Sequence, residues 1–359
     1  MFYLIFFVSL LIGFVSSFGS QYYVVERSRG SLGVIENREY VGEIKHLGDM
    51  NHAIVKYGKC YAYVISRDGV LSKIDPRNNH IVAQTKAGNS SIDFYITKHL
   101  IVVANYDPDT VAIFNHNLKL IKSIKTGSRN VGIKVYKHLI FVLLMDKNAI
   151  LVLDDKNFSK KKVIKNVGVM PFDAILDGDR YIVSFFVNDD IGILDTENMK
   201  YRIIHYGTVS KPILKIPHYG LFSMWHGLVF MPLVGERAIG VVNIDKGTLE
   251  HKIPLLGYPV FVIVSPKDNL IAVNYSGDND DYMSFIDPFK MKLIKNMKVA
   301  RRIMHMRFSK DGRFLYISDY FDNRVKILDT SDFKIIKEIT VPQPSGIFRL
   351  PERLEECHG

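Results

Sequence analysis

Several short stretches of this chain carry side chains suited to holding an anionic or metal-bearing ligand. LGDMNHAIV places His52 at the end of a turn-like run, and a neutral imidazole is a ready metal donor at ordinary pH. SRDGVLSKID supplies Arg67, whose planar guanidinium matches a carboxylate fork, and Lys73 six residues later. VANYDPDTVAIF offers Asn105 and Tyr106 at the equivalent point one repeat on. KIPHYG contributes His218, MWHGLVF holds the single Trp, Trp225, beside His226, and KVARRIMHMRFSKDG brings Arg301, Arg302 and His305. Each also has a plain structural reading. A lone His is more often a packing residue, Arg-Asp-Gly is a good β-turn, and a strand lysine is usually a solvated charge.

What is missing narrows the chemistry. There is no GxSxG elbow, no HExxH, no GxGxxG opening a helix and no cysteine cluster, so hydrolytic, zinc and iron–sulfur constellations are not supported. Cys60 and Cys357 are the two cysteines, and neither sits in a CxxC pair. Cys60 lies in a strand-like stretch and is expected to be a small buried residue. The terminal Cys357-His358-Gly359 lacks the upstream cysteine of a covalent heme motif. Asp278, Asp280 and Asp281 lack a defensible calcium spacing. The net charge of +10 is dispersed along the chain, which argues against nucleic acid and suits a small polyanion or simple solubility.

Positioning such residues is the task of a repeat. A short apolar strand ending in an acidic or amide residue recurs eight times: Leu32–Glu36, Leu71–Asp75, Val111–Asn115, Ile150–Asp154, Gly192–Asp195, Ile239–Asn243, Met283–Asp287 and Val325–Asp329. Polar turn residues follow each, then a second strand such as HIVAQTK, KLIKSIK or KIIKEIT. The period of about 40 residues is that of one four-stranded propeller blade. The terminal Asp or Asn can accept from the backbone two residues on and so fix the turn. The pattern predicts an all-β chain, an eight-bladed β-propeller whose ring closes by mixing strands from both ends, YYVVERSRGS and PSGIF being the segments available. Seven blades with an edge decoration is the alternative. An insertion around Thr208–Pro232 interrupts the spacing.

The chain begins MFYLIFFVSLLIGFVSSFGS, uncharged up to Tyr23. Its apolar run, followed by small residues, reads as a signal peptide or an uncleaved signal anchor over 1–20. Residues 21–350 then form one propeller domain and 351–359 a C-terminal tail. Export is the expectation.

In their order, VVERSRGSLGVIENR, LGDMNHAIV, YAYVISRDGVLSKID, VVANYDPDTVAIF, PFDAILDGDRYIVSFF, KIPHYG, LVFMPLVGERAIGVVN, GYPVFVIVSPKDNLIAVNY, HMRFSKDGRFLYISDYFDNRVKILDT and PSGIF resemble the NirF family. More distantly they resemble the heme d1 domain of dissimilatory nitrite reductase. The resemblance implies a periplasmic propeller of heme d1 biosynthesis. Its cofactor would be heme d1 or an iron-tetrapyrrole precursor. Its partners would be other heme d1 biosynthesis proteins and nitrite reductase, with possible membrane anchoring through residues 1–20. It places His52 on the GDxxH histidine as iron ligand. Arg67, Lys73 and Arg302 would hold carboxylates, Asn105 and Tyr106 would line the pocket, and His218 would stand on the opposite side of the macrocycle. Tyr106 or His218 would move protons. Two departures argue against nitrite reduction: Ser265 stands where the reductase has a distal histidine, and the fused c-heme domain is absent. The anchoring cysteine of some family members is also missing. Three readings follow: an oxidoreductase acting on a late precursor, a non-catalytic carrier, and a protein-interaction scaffold.

Overall fold

Short runs of β-branched and aromatic residues between Asn, Asp and Gly turns can do little but extend. In the computed structural model, which describes residues 21–207 and 223–351, these runs build eight four-stranded antiparallel sheets. Blades 2 to 8 each use four consecutive strands, over 54–86, 90–125, 130–165, 171–205, 223–254, 258–298 and 303–340. Blade 1 takes Gln21–Glu26, Ser31–Glu36 and Glu39–Ile44 from one end of the chain and Pro344–Arg349 from the other. The closing pair runs Tyr22↔Arg349, Tyr23↔Phe348 and Val24↔Ile347. The fold is therefore an eight-bladed propeller, not a seven-bladed one, and the two expected segments close it. Residues 1–20, most of the insertion (208–222) and 352–359 lie outside the described residues. Among the described residues no helix is long and apolar enough to cross a membrane.

The strand-ending Asp or Asn acts as its chemistry requires. Asp75 Oδ1 accepts from Arg77 N–H at 3.0 Å, Asn115 Oδ1 from Asn117 N–H at 2.9 Å, and Asp154 Oδ1 from Lys156 N–H at 2.9 Å. The same bond recurs at Asp195, Asn243, Asp287 and Asp329. Blade 1 carries Glu36 instead, and its longer carboxylate reaches Gln21 across the sheet. The outermost strands, such as Leu120–Lys125, Lys160–Lys165 and Lys292–Lys298, are largely exposed. They hold much of the lysine, so the basic charge sits on the perimeter. Cys60 departs from expectation. It occupies the turn between Ile54–Gly58 and Tyr61–Ile65 at φ 69°, half-buried, and it is disulfide-bonded. A turn residue is well placed for a covalent bond to another segment and poorly placed for core packing. Cys357 lies outside the described residues.

First strands of neighbouring blades face one another around the axis, and most carry a β-bulge that turns side chains inward. At mid-height this produces a charged arc across blades 2 to 5. Lys56 Nζ lies 2.6 Å from Asp93 Oδ1, Lys134 Nζ lies 3.8 Å from Asp93 Oδ2, and Asp173 follows. Asp93 Oδ2 also accepts from the Ile133 N–H at 3.2 Å, so one carboxylate ties three blades together. Burial opposes ionisation of Asp93, but the two lysines outweigh it and hold the carboxyl below its usual range. Lys56 is pushed down, because burial outweighs its share of a single carboxylate. Asp173, buried and beside Asp93, is pushed up.

Asp93→Asn leaves two part-buried lysines without that charge, and the expected loss of stability at pH 7 is about 1.5–3 kcal/mol, the value of a charged hydrogen bond. The sign with pH is fixed. The folded carboxyl is depressed, so its contribution is complete above the ordinary Asp value of about 3.9 and lost as pH falls through the folded value. Urea unfolding of both proteins in steps from pH 7 down to about pH 2 checks this. The gap should hold level to about pH 4 and narrow below it, and a gap that begins to close well above pH 4 would refute the assignment.

Candidate functional site

Two connections per blade open on one face of the ring: the link into a blade's first strand and the turn between its second and third strands. In blade 2 these are residues 45–53 and 66–69, which carry the GDMNH and RDG segments. They lock together. Asp68 Oδ1 accepts from Asp49 N–H at 2.9 Å and from Ser66 Oγ at 2.6 Å, while Arg67 N–H donates to Asp49 O at 2.7 Å. Gly48, at φ 84°, has no room for a Cβ, which would stand 2.5 Å from Asp68 Oδ1. Asp49 Oδ1 accepts from Asn51 N–H at 2.9 Å, and the turn ends on His52 at φ 61°. Two segments joined by a bond between residues 19 apart in the sequence thus form one unit, and His52 and Arg67 are neighbours because of it.

The electrostatics around His52 are one-sided. Burial, then Arg27 and Arg67, push its imidazole down to about 4 against the weaker pull of Asp49. It is neutral across the physiological range. The Arg67 guanidinium carbon lies 5.0 Å from the centroid of the Tyr106 ring, and Arg129 approaches the same ring at 5.6 Å. Arg67 Nη1 is buried and donates to no acceptor among the described residues. Arg129 is held by Asp146 through Nη2 at 2.6 Å. The Tyr106 hydroxyl lies 3.7 Å from Met145 Sδ and is pushed up to about 12, because burial outweighs the two arginines. It keeps its proton, so it is a donor and an aromatic wall rather than a base.

The other expected residues separate. Asn105 is fully buried and occupied: its Oδ1 accepts from Ser91 Oγ at 2.6 Å, and its Nδ2 donates to Ala87 O at 2.8 Å and Thr110 Oγ1 at 3.1 Å. It holds the turn and has no donor left for a ligand. Lys73 does not reach this face. Its strand, Val70–Asp75, runs away from the RDG turn, and the ammonium ends over Tyr61 near the opposite turns. Arg302 is on the right face but at the junction of blades 7 and 8, 3.8 Å from Asp280. His218 lies outside the described residues. Arg27 and Arg129 were not legible as site residues. The usable signal was position: each follows a blade strand at the same point of the repeat as the segments holding His52 and Arg67. Among the described residues, no three His, Cys, Asp or Glu side chains gather as a metal site would need.

The family described as the cytochrome D1 heme domain matches residues 18–352. Protein NirF of Stutzerimonas stutzeri is 30% identical over 351 residues, covering 90% of both chains. Protein NirF of Pseudomonas aeruginosa is 28% identical over the same length and coverage. Among solved structures, dihydro-heme d1 dehydrogenase NirN in complex with DHE has a TM-score of 0.79 at 17% identity, covering 94% of this chain and 76% of that one. Apo AztD from Citrobacter koseri has a TM-score of 0.69 at 15% identity, covering 93% and 98%. At these identities the two structures bear on the fold alone.

His52 should titrate near pH 4 by NMR. In Arg67→Met its value should rise, since one repelling charge is gone, yet stay below the ordinary 6.5 or so because burial remains the larger cause. A fall, or no change, would separate the two residues.

Proposed function

The chain belongs to the NirF family of cytochrome D1 heme domain proteins, and we propose that it binds heme d1 or a late iron-tetrapyrrole precursor of it at the His52 face. The observation that carries this reading is the pairing of a neutral imidazole with a buried guanidinium nitrogen lacking an acceptor, side by side on one turn unit. The donor set fits. A metal held by protein alone needs several side-chain ligands, whereas a metal that arrives inside a macrocycle would need as few as one donor from the protein. His52 would be that donor. Arg67 and Arg27 would take carboxylates on the rim of the macrocycle, and the Tyr106 face would pack against it. The group would supply the redox-active iron.

The finer reading is that binding assists oxidation of the precursor, by side-chain dehydrogenation. The likeness in fold to a structure described as a dihydro-heme d1 dehydrogenase supports it. The alternative is a carrier that passes the pigment to nitrite reductase or to other proteins of the same biosynthesis. Anaerobic incubation with an authentic precursor and mass analysis of the tetrapyrrole separates the two. Loss of two hydrogens marks the enzyme, and unaltered bound pigment marks the carrier. We also propose that the protein works in the periplasm. The uncharged apolar run at residues 1–20 and the disulfide at Cys60, a bond of oxidising compartments, support this. If a form lacking residues 1–20 restored heme d1 assembly from the cytoplasm, the periplasmic reading would fall.

Titration with heme d1 as free acid and as methyl ester tests the site. His52→Ala should change the absorption spectrum of the bound pigment and weaken binding while the fold survives. Arg67→Ala should weaken the free acid roughly ten- to a hundredfold, the value of a charged hydrogen bond, and the ester far less. Equal weakening of acid and ester would make Arg67 a structural residue of its turn.

A further inference from the structure

Lys73 was expected at the ligand face, and its true position creates a different problem. It lies on Val70–Asp75 opposite Tyr63 and Ala83 and is only 8% exposed. Its ammonium sits 3.8 Å from the centroid of the Tyr61 ring. Among the described residues it has neither a carboxylate nor a hydrogen-bond acceptor. Asp75, at the end of the same strand, is committed to Arg77 through bonds of 2.9 and 2.5 Å. A buried cation normally has a partner charge, and an aromatic face replaces only part of one.

The surroundings add positive charge instead of removing it. Lys59, in the turn after Ile54–Gly58, is close enough to Lys73 to disfavour its proton. Across the gap between blades 2 and 3, Tyr63 Oη donates to His116 Nδ1 at 2.9 Å. His116 Nε2 lies 2.9 Å from Thr97 O, which can only accept, so Nε2 carries the hydrogen and Nδ1 is the acceptor. Lys59, Lys73 and His99 all bear on that imidazole with the same sign. The result is a cluster between blades 2 and 3 in which the Lys73 ammonium lies over Tyr61, with Tyr63, His116 and Lys59 around it. It lies on the face of the ring opposite His52.

We propose that this inter-blade cluster is a second ligand site, for a small oxyanion such as inorganic phosphate or a carboxylate. An ammonium offers three donors and requires acceptors bearing negative charge, which an oxyanion supplies together. The cluster of like positive charge excludes a metal ion. The site is independent of tetrapyrrole binding.

The test follows His116 by 1H–13C NMR in the full chain, adding inorganic phosphate, then acetate, at constant ionic strength with chloride as reference. Phosphate should shift the His116 ring signals saturably and leave those of His52 in place. Lys73→Met, checked for an unchanged melting temperature, should weaken this response about ten- to a hundredfold. Lys59→Ser, a surface change that cannot unfold a blade, should weaken it severalfold. If His116 responds to neither phosphate nor acetate, the ammonium is merely solvated and the proposal fails. It fails equally if Lys73→Met and Lys59→Ser bind as the unaltered protein does.

Discussion

The pairing of Gln21–Glu26 with Pro344–Arg349 is the constraint on which the rest of the molecule depends. Blade 1 lacks an innermost strand of its own, so until the two ends of the chain meet, the ring has a gap and two exposed sheet edges. Closure also sets the ligand face. Arg27 follows directly from the closing strand, and its N–H donates to Gln343 O at 3.3 Å. The link that ends on His52 leaves blade 1 for blade 2. A ring that failed to close would lose the geometry between Arg27, His52 and Arg67 before it lost any one blade.

Within that ring the ligand face is organised by a small hydrogen-bonded unit, not by a rigid pocket wall. Asp68 spends its carboxylate on the Asp49 amide and the Ser66 hydroxyl, and Gly48 leaves room for it. That arrangement frees Arg67 to project over Tyr106 while its own amide stays bound. Burial, reinforced by the Arg27 and Arg67 guanidinium groups, keeps His52 neutral, which is the state a metal donor needs. The same positive charge would attract carboxylates. In the proposed complex, iron ligation and rim recognition would therefore be coupled electrostatically, even though they would use separate atoms.

Charge is handled differently at each level of the propeller. Perimeter lysines are largely exposed, and several pair with a nearby carboxylate, as Lys161 does with Asp154 and Lys298 with Asp281. The arc of Lys56, Asp93, Lys134 and Asp173, with Asp93 buried and the others part-buried, serves to hold blades 2 to 5 in register. Lys73 belongs to neither class: it is buried, and no carboxylate among the described residues answers it. A lysine in that condition has a reason for being there other than solubility or ring stability.

The sequence by itself determined the blades, their turns and the segments available for closure, while the closed ring decided for eight blades over seven. Those features rest on alternation within five or six residues and on bonds such as that from Asp154 to the amide two residues on, all written in adjacent positions. It also brought His52 and Arg67 forward, since the turns that hold them are local. Partners across blades were beyond it. Asn105 and Lys73 sit in motifs as suggestive as those of Arg67, yet one is consumed inside its turn and the other emerges on the far face. Arg27 and Arg129 join the ligand face without any motif. The physical reason is that a bulge or one step along a strand reverses where a side chain points. Its neighbour then comes from a different blade, dozens of residues away, and only the closed ring brings the two together.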